Sequence, residues 1–266
     1  MKLLSLNTHS LSEKNEDHKA QTIATYILEN DIDVIALQEV NQTMSKKRVS
    51  ADQMYVGTDE LKEDNFALFL SSLLKQRYYW NWIPVKVGYD RFDEGVAIFS
   101  KYPIVESENK RLTKTNDYRY WKKRNALGVK IDYKGTPVWI YTSHLGWWKD
   151  DEEPFLHQWQ ILNQIASKKE RVYLAGDFNA PDTIKEESYE TILKDGWYDT
   201  RSLAEDVKGR FTAQGKIDGW ETAQDMRIDY IFVNEQETVK SHHVVFDGKS
   251  EEKVSDHYGI NMEDTL

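Results

Sequence analysis

The chain has 266 residues, 39% of them hydrophobic and 30% charged, which suits a globular protein able to bury a substantial core. Fifteen Tyr, nine Trp and nine Phe exclude a disordered composition, and the lack of cysteine excludes disulfides and thiolate chemistry. A formal charge of -10 argues against a general nucleic-acid binder, although a metal ion can reverse such a field locally.

In chain order, "LLSL" (3–6) reads as the first strand. Its apolar run stops at once at Asn7, His9 and Ser10, too short for a secretory leader, so the expected location is the cytoplasm. A helix follows over 17–30, with Ile23, Ile27 and Leu28 on one face and Asn30 and Asp31 as stop signals. Next come a strand at 33–38, a helix over 65–77, and strands at 95–100, 126–133 and 137–143. A helix over 154–169, a strand at 171–176, a helix over 186–195 and strands at 228–233 and 243–246 complete the order. Several strands succeed one another through short loops, which predicts a mixed α/β protein with largely antiparallel sheets. No linker, repeat or membrane-length apolar run interrupts residues 1–266, and one domain is expected.

Polar residues gather where these apolar strands end. Asn7, Glu39, His144, Asp177 and Asn179 stand at strand ends, Asp229 lies within one, and Asp256 and His257 precede one. Singly, each is explained by a turn or a helix cap. Together they describe a site presented by a sheet scaffold. No Gly-x-Ser-x-Gly elbow, Walker loop or G-x-G-x-x-G is present. The remaining oxygen-rich set, Glu39, Asp177 and Asp256 with the amides of Asn7 and Asn179, suits Mg²⁺ or Mn²⁺, with histidines as proton carriers. Metal-assisted hydrolysis of a phosphate ester is the predicted chemistry.

The series "LNTH" (6–9), "ALQEV" (36–40), "EGVAIFSKYPI" (94–104), "TSHLG" (142–146), "GDFNAP" (176–181), "RIDYIF" (227–232) and "SDHYGI" (255–260) resembles the endonuclease/exonuclease/phosphatase superfamily. The resemblance implies a four-layered α/β sandwich, with two mixed sheets face to face and helices outside. It implies a Mg²⁺ or Mn²⁺ site made by Glu39, with Asn7 and Asp256 beside it. Asp177 would position the attacking water and Asn179 would bond the phosphate. His257 would be oriented by Asp229, and His144 by Glu94, while Arg124 would contact phosphate.

Substrate signals are less direct. Trp147 and Trp148 follow His144 and precede the acidic run Asp150–Glu153, as a sugar-binding rim would. Tyr79, Trp80 and Trp82 read equally as core or as site. Within the superfamily, "LNTHS", "ALQEVNQ" and "YYWNWIPVKVGYDRFDEGVAIFSK" resemble cytoplasmic Gram-positive members, among them phosphatases of maltose 6'-phosphate. A sugar phosphate is therefore the expected partner, and neither nucleic acid nor a membrane is favoured. The alternative is a nuclease, which would need Lys46, Lys47, Arg48, Lys122 and Lys123 to line the site.

Overall fold

The computed structural model describes residues 1–217, 220 and 224–266. In order, the elements are β1 (Lys2–Asn7), α1 (Glu16–Glu29), β2 (Val34–Thr43), β3 (Arg48–Val49), β4 (Leu61–Lys62), α2 (Phe66–Leu73), β5 (Tyr79–Gly88), β6 (Phe92–Ser100), β7 (Ile104–Arg111) and β8 (Asn125–Tyr133). They continue as β9 (Thr136–His144), α3 (Phe155–Ala166), β10 (Val172–Asp177), α4 (Ser188–Lys194), β11 (Tyr198–Asp199), α5 (Thr200–Leu203), β12 (Ala204–Lys208), β13 (Asp229–Val233), β14 (Val239–Val245) and β15 (Gly259–Asp264). One sheet runs β12-β14-β15-β1-β2-β6-β5 and the other β11-β13-β10-β9-β8-β7.

The two sheets pack face to face. Leu3, Val34, Ala36 and Ile98 of the first meet Leu127, Val129, Ile140 and Ile231 of the second. Each of the Leu, Val and Ile side chains among these contributes roughly 1.5–3 kcal/mol on burial. The opposite face of β1 turns Leu4 and Leu6 toward Ile23 and Ile27 of α1 and Phe66 and Leu70 of α2. On the other side, Leu174 and Phe232 meet Trp159 and Leu162 of α3 and Ile192 of α4. Strands covered on both faces are mostly apolar, which is why "LLSL" and "VYLA" carry no charged side chain until they end.

Most pairings are antiparallel; β12 runs parallel to β14 and, in the two units that carry the site, β1 runs parallel to β2 and β9 to β10. Parallel neighbours need a crossover, supplied by α1 and α3 respectively. β1, β9 and β10 end together, placing Asn7 beside Gln38 and His144 beside Asp177, whereas β2 does not stop at the expected residue 38 but runs on to Thr43. The predicted strands and helices are all found. The additional elements are β5 and β7 and the short β3, β4, β11, α5 and β12, and Trp80 and Trp82 of β5 are core residues: Trp80 stacks on Phe99 at 5.6 Å and Trp82 donates to the Val40 carbonyl at 2.9 Å. Among the described residues no helix is long and apolar enough to cross a membrane.

His242 on β14 gives a pH handle remote from the strand ends. Thr200 gives its hydroxyl hydrogen to the Ile231 carbonyl at 2.8 Å, so His242 Nδ1 is the donor in their 3.0 Å contact. Burial outweighs the nearby Asp199 charge and lowers this imidazole's pKa from 6.5 to about 3. Unfolding lets the ring take a proton, so stability is full above its unfolded value and falls as pH drops below it. Between pH 7.5 and 5 the loss is about 2 kcal/mol. His242→Gln should remove that part of the acid sensitivity, read from urea unfolding at the two pH values.

Candidate active site

Three backbone devices aim the site residues. A bulge places Gln38 and Glu39 of β2 opposite one residue of β6, between the pairs Leu37–Ala97 and Val40–Gly95. Glu39 takes the left-handed conformation there, φ 52°, which turns its side chain off the normal strand alternation. A β-carbon at Gly176 would stand 2.1 Å from the Ser143 carbonyl oxygen, so only glycine lets β10 run this close to β9. Asn179 is left-handed, φ 47°, and its N–H donates to Asp177 Oδ1 at 2.9 Å, which closes the turn after the strand.

Asn7 is fully buried and ties the two sheets together. Its Nδ2 donates to Glu39 Oε1 at 2.9 Å and to Asp177 Oδ2 at 3.2 Å. Asp177 Oδ2 also faces His144 Nε2 at 3.5 Å and His257 Nε2 at 3.7 Å. Burial, then the charge of Asp229, pushes the Asp177 carboxyl up to about 7. The predicted Asp229–His257 pair is formed: Nδ1 lies 3.0 Å from Asp229 Oδ2. Burial alone would lower the His257 pKa, but the charges of Asp229 and Asp177 and the bond to Asp229 hold it well above its ordinary value.

His144 has the opposite character. Burial, then the charges of Arg124, Lys86 and His257, holds its pKa well below the ordinary value. Asn179 Oδ1 accepts from Trp220 Nε1 at 3.0 Å and its Nδ2 donates to the Leu145 carbonyl at 2.9 Å, which fixes the amide's orientation. The same Nδ2 lies 3.1 Å from His144 Nε2. The ring therefore accepts at Nε2 and carries its proton on Nδ1, which faces Glu39 Oε1 at 3.5 Å. Asn179 thus commits both amide hydrogens inside the protein. Its expected bond to phosphate is replaced here by a grip on His144 and Leu145.

The expected Glu94–His144 pair is not made. Lys86 on β5 stands directly across from Glu94 on β6, and the two form an ion pair at 3.0 Å. A cation at the opposed cross-strand position is a better partner for the carboxylate than a neutral ring. Both side chains are about nine-tenths buried. Removing one partner of such a pair strands the other, so Glu94→Gln should lower stability by about 3 kcal/mol in urea unfolding. The double variant Glu94→Gln with Lys86→Met should recover most of that loss.

Glu39, Lys86, Glu94, Arg124, His144, Asp177, Asp256 and His257 converge on one cavity of about 270 Å³, walled by Tyr89, Trp121 and Trp147. Arg124 is buried with an unpartnered Nε, and its guanidinium lies 5.9 Å from the Trp147 ring. Trp148 is set back from this cavity, packed on Phe155. The donors fit a hard divalent cation. Burial, then the like charges of Glu94 and Asp256, raises the Glu39 pKa, an electrostatic strain that a cation among these oxygens would relieve. Asp256 also comes within 4.8 Å of His9 and Glu13 ligand atoms, as Asp177, Asp229 and His257 do of one another.

The basic triplets do not converge on this cavity as a whole. Lys46 pairs with Glu63, Arg48 with Glu60, and Lys122 with Asp150 and Glu152, leaving Arg124 as the triplet member that lines it. Sequence reasoning missed Lys86, whose signal is a lone cation inside the apolar strand "IPVKVG". It also missed Trp220, for which no local signal exists.

The comparisons agree with this geometry. No curated protein matches the chain. A solved structure described as an endonuclease/exonuclease/phosphatase family protein from Leptotrichia buccalis is 31% identical, with both chains fully covered and a TM-score of 0.89. A mannosyl-6-phosphatase of Bacteroides thetaiotaomicron shares the fold at 16% identity, both chains fully covered, TM-score 0.71. So does TDP2 of D. rerio, solved with a single-strand DNA product, at 18% identity, covering 100% of this chain and 99% of its own, TM-score 0.69. The profile of the Endonuclease/Exonuclease/phosphatase family matches residues 4–257. With its two-sheet sandwich and the carboxylates, amides and histidines on one sheet edge, the chain belongs to that family.

Proposed function

We propose that this protein is a divalent-metal-dependent phosphomonoesterase acting on a small sugar phosphate, with maltose 6'-phosphate or a related disaccharide phosphate as the favoured substrate. The observation that carries the reading is the cavity itself. Two buried cations, Arg124 and Lys86, stand with His257 around a pocket of about 270 Å³ closed by aromatic rings. A terminal phosphate presents two charges and several oxygens to such a cluster, and a small leaving group fits against the aromatic wall. The pairing of the flanking Lys46, Arg48 and Lys122 with carboxylates leaves no continuous basic track for a nucleic-acid backbone among the described residues. The mannosyl-6-phosphatase with the same fold supports hexose phosphates as a suitable substrate class.

Asn7, Glu39 and Asp256 would hold Mg²⁺ or Mn²⁺, which supplies neutralisation of charge on the phosphoryl and leaving oxygens. Asp177, with Oδ1 held by the Asn179 N–H and Oδ2 facing the cavity, orients water and takes its proton, a task suited to a carboxyl whose pKa is about 7. His257, charged and fixed by Asp229, donates from Nε2 to a phosphoryl oxygen. His144, whose Nδ1–H faces Glu39 Oε1 at 3.5 Å, would orient that carboxylate beside the metal, and Arg124 neutralises a further phosphoryl oxygen.

The test is phosphate release from hexose and disaccharide phosphates with Mg²⁺, Mn²⁺ or EDTA, beside single- and double-stranded DNA. Metal-dependent release from a sugar phosphate with DNA untouched is expected. Cleaved DNA with intact sugar phosphates would make this chain a nuclease.

A further inference from the structure

A second cavity of about 170 Å³ adjoins the first and shares Trp147 and Asn179 with it. Its apolar walls are Trp147, Trp148, Trp220, Pro181 and Ile184. Two of its lining residues carry polar atoms buried without partners: Ser188, 1% exposed, at Oγ, and Trp147, shared with the first cavity, at Nε1. An ion pair between Lys149 and Glu187, at 2.8 Å, stands at its margin. Neither orphan atom takes part in the mechanism, and a buried polar atom without a partner is costly unless something fills the role.

Resting on the phosphomonoesterase reading above, we propose that this side cavity is the subsite for a second sugar ring of the substrate, the one remote from the phosphate. Its size is that of one ring and below the roughly 300–1,000 Å³ of cavities for larger ligands. Flat indole faces take the C–H faces of a pyranose, while Ser188 Oγ, Trp147 Nε1 and the Glu187 carboxylate offer partners to its hydroxyls. The plates are fixed in advance: Trp148 packs on Phe155 at 6.0 Å, and Trp220 is held through its bond to Asn179. The two cavities meet at Trp147 and Asn179, so a substrate of two linked rings would span both.

Ser188→Ala deletes the orphan hydroxyl, and Ile184→Asp places a charge in the wall at a position 39% exposed, where folding is not at risk. Each should raise KM for a disaccharide phosphate by roughly fivefold to tenfold. KM for a hexose phosphate and for p-nitrophenyl phosphate should stay within twofold. Equal changes for all three substrates, or a change confined to a mononucleotide, would overturn the subsite. Binding of unphosphorylated maltose in EDTA, read by tryptophan fluorescence, is independent of turnover. A saturable signal weakened by Ser188→Ala supports the subsite even if no phosphate ester is hydrolysed, an outcome that would sink the phosphatase reading alone. No signal from the unmodified protein overturns the subsite.

Discussion

Asp177→Asn is expected to lower kcat for every phosphate ester by roughly 10³-fold, and at the same time to raise the thermal unfolding midpoint in EDTA. The two effects share one cause. Asp177 is 1% exposed, and burial, then the neighbouring Asp229, pushes its carboxyl to about 7 from 3.8. A carboxyl whose folded pKa lies above its unfolded value favours the folded state at low pH and withdraws that support as pH rises through both values. The neutral amide keeps the oxygen that accepts the Asn179 N–H and carries no charge to desolvate, a gain reduced where its Nδ2 meets the Asn7 Nδ2 that donates to Asp177 Oδ2 at 3.2 Å. Its stabilising effect should therefore be larger at pH 8 than at pH 5, in melts followed by circular dichroism. Turnover within tenfold of the unmodified protein would remove Asp177 from the role of base.

His257→Ala is the second large effect, a loss of roughly 10²–10⁴ in kcat. Asp229→Asn should come close to it, because the Asp229 carboxylate both fixes the Nδ1–H tautomer and supports the charge on the ring. Two residues acting as one unit are not additive, so the double variant should lose no more than His257→Ala alone. The pH profile separates positioning from mere structure. With Asp229 gone the imidazole gives up its proton at lower pH, and the alkaline limb of activity should move to lower pH in Asp229→Asn. An unmoved limb with reduced kcat would mean that Asp229 only shapes the strand.

Why some of this is legible in the sequence and some is not follows from the kind of interaction involved. Asn7, His144 and Asp177 stand out because strands buried on both faces carry polar side chains mainly where they end, whereas Glu39, expected at a strand end, sits at a bulge inside β2. Asp229 and His257 form their pair as the resemblance implies, through a contact 28 residues apart. The Glu94–Lys86 pair depends on the register between β5 and β6, which no short motif carries. β5 itself reads as a cluster of aromatics because Trp80 and Trp82 share a face with no polar alternation, and Pro84 is tolerated on it as an edge strand. β7 is hidden for the opposite reason, since "IVESENKR" is an exposed edge rich in charge. Trp220 reaches Asn179 across 41 positions of chain.

Asn7 holds a carboxylate from each sheet with one amide, and close by Gln38 Nε2 of the first sheet donates to Thr142 Oγ1 of the second at 2.8 Å. The reacting groups therefore belong half to one slab and half to the other. Any slippage between the slabs, by heat or by hollowing out Ile140 or Val129 at their seam, separates Glu39 from Asp177 before either strand unravels. Thermal inactivation should run ahead of the loss of secondary structure, so catalysis in this protein doubles as a gauge of how well its two halves are seated.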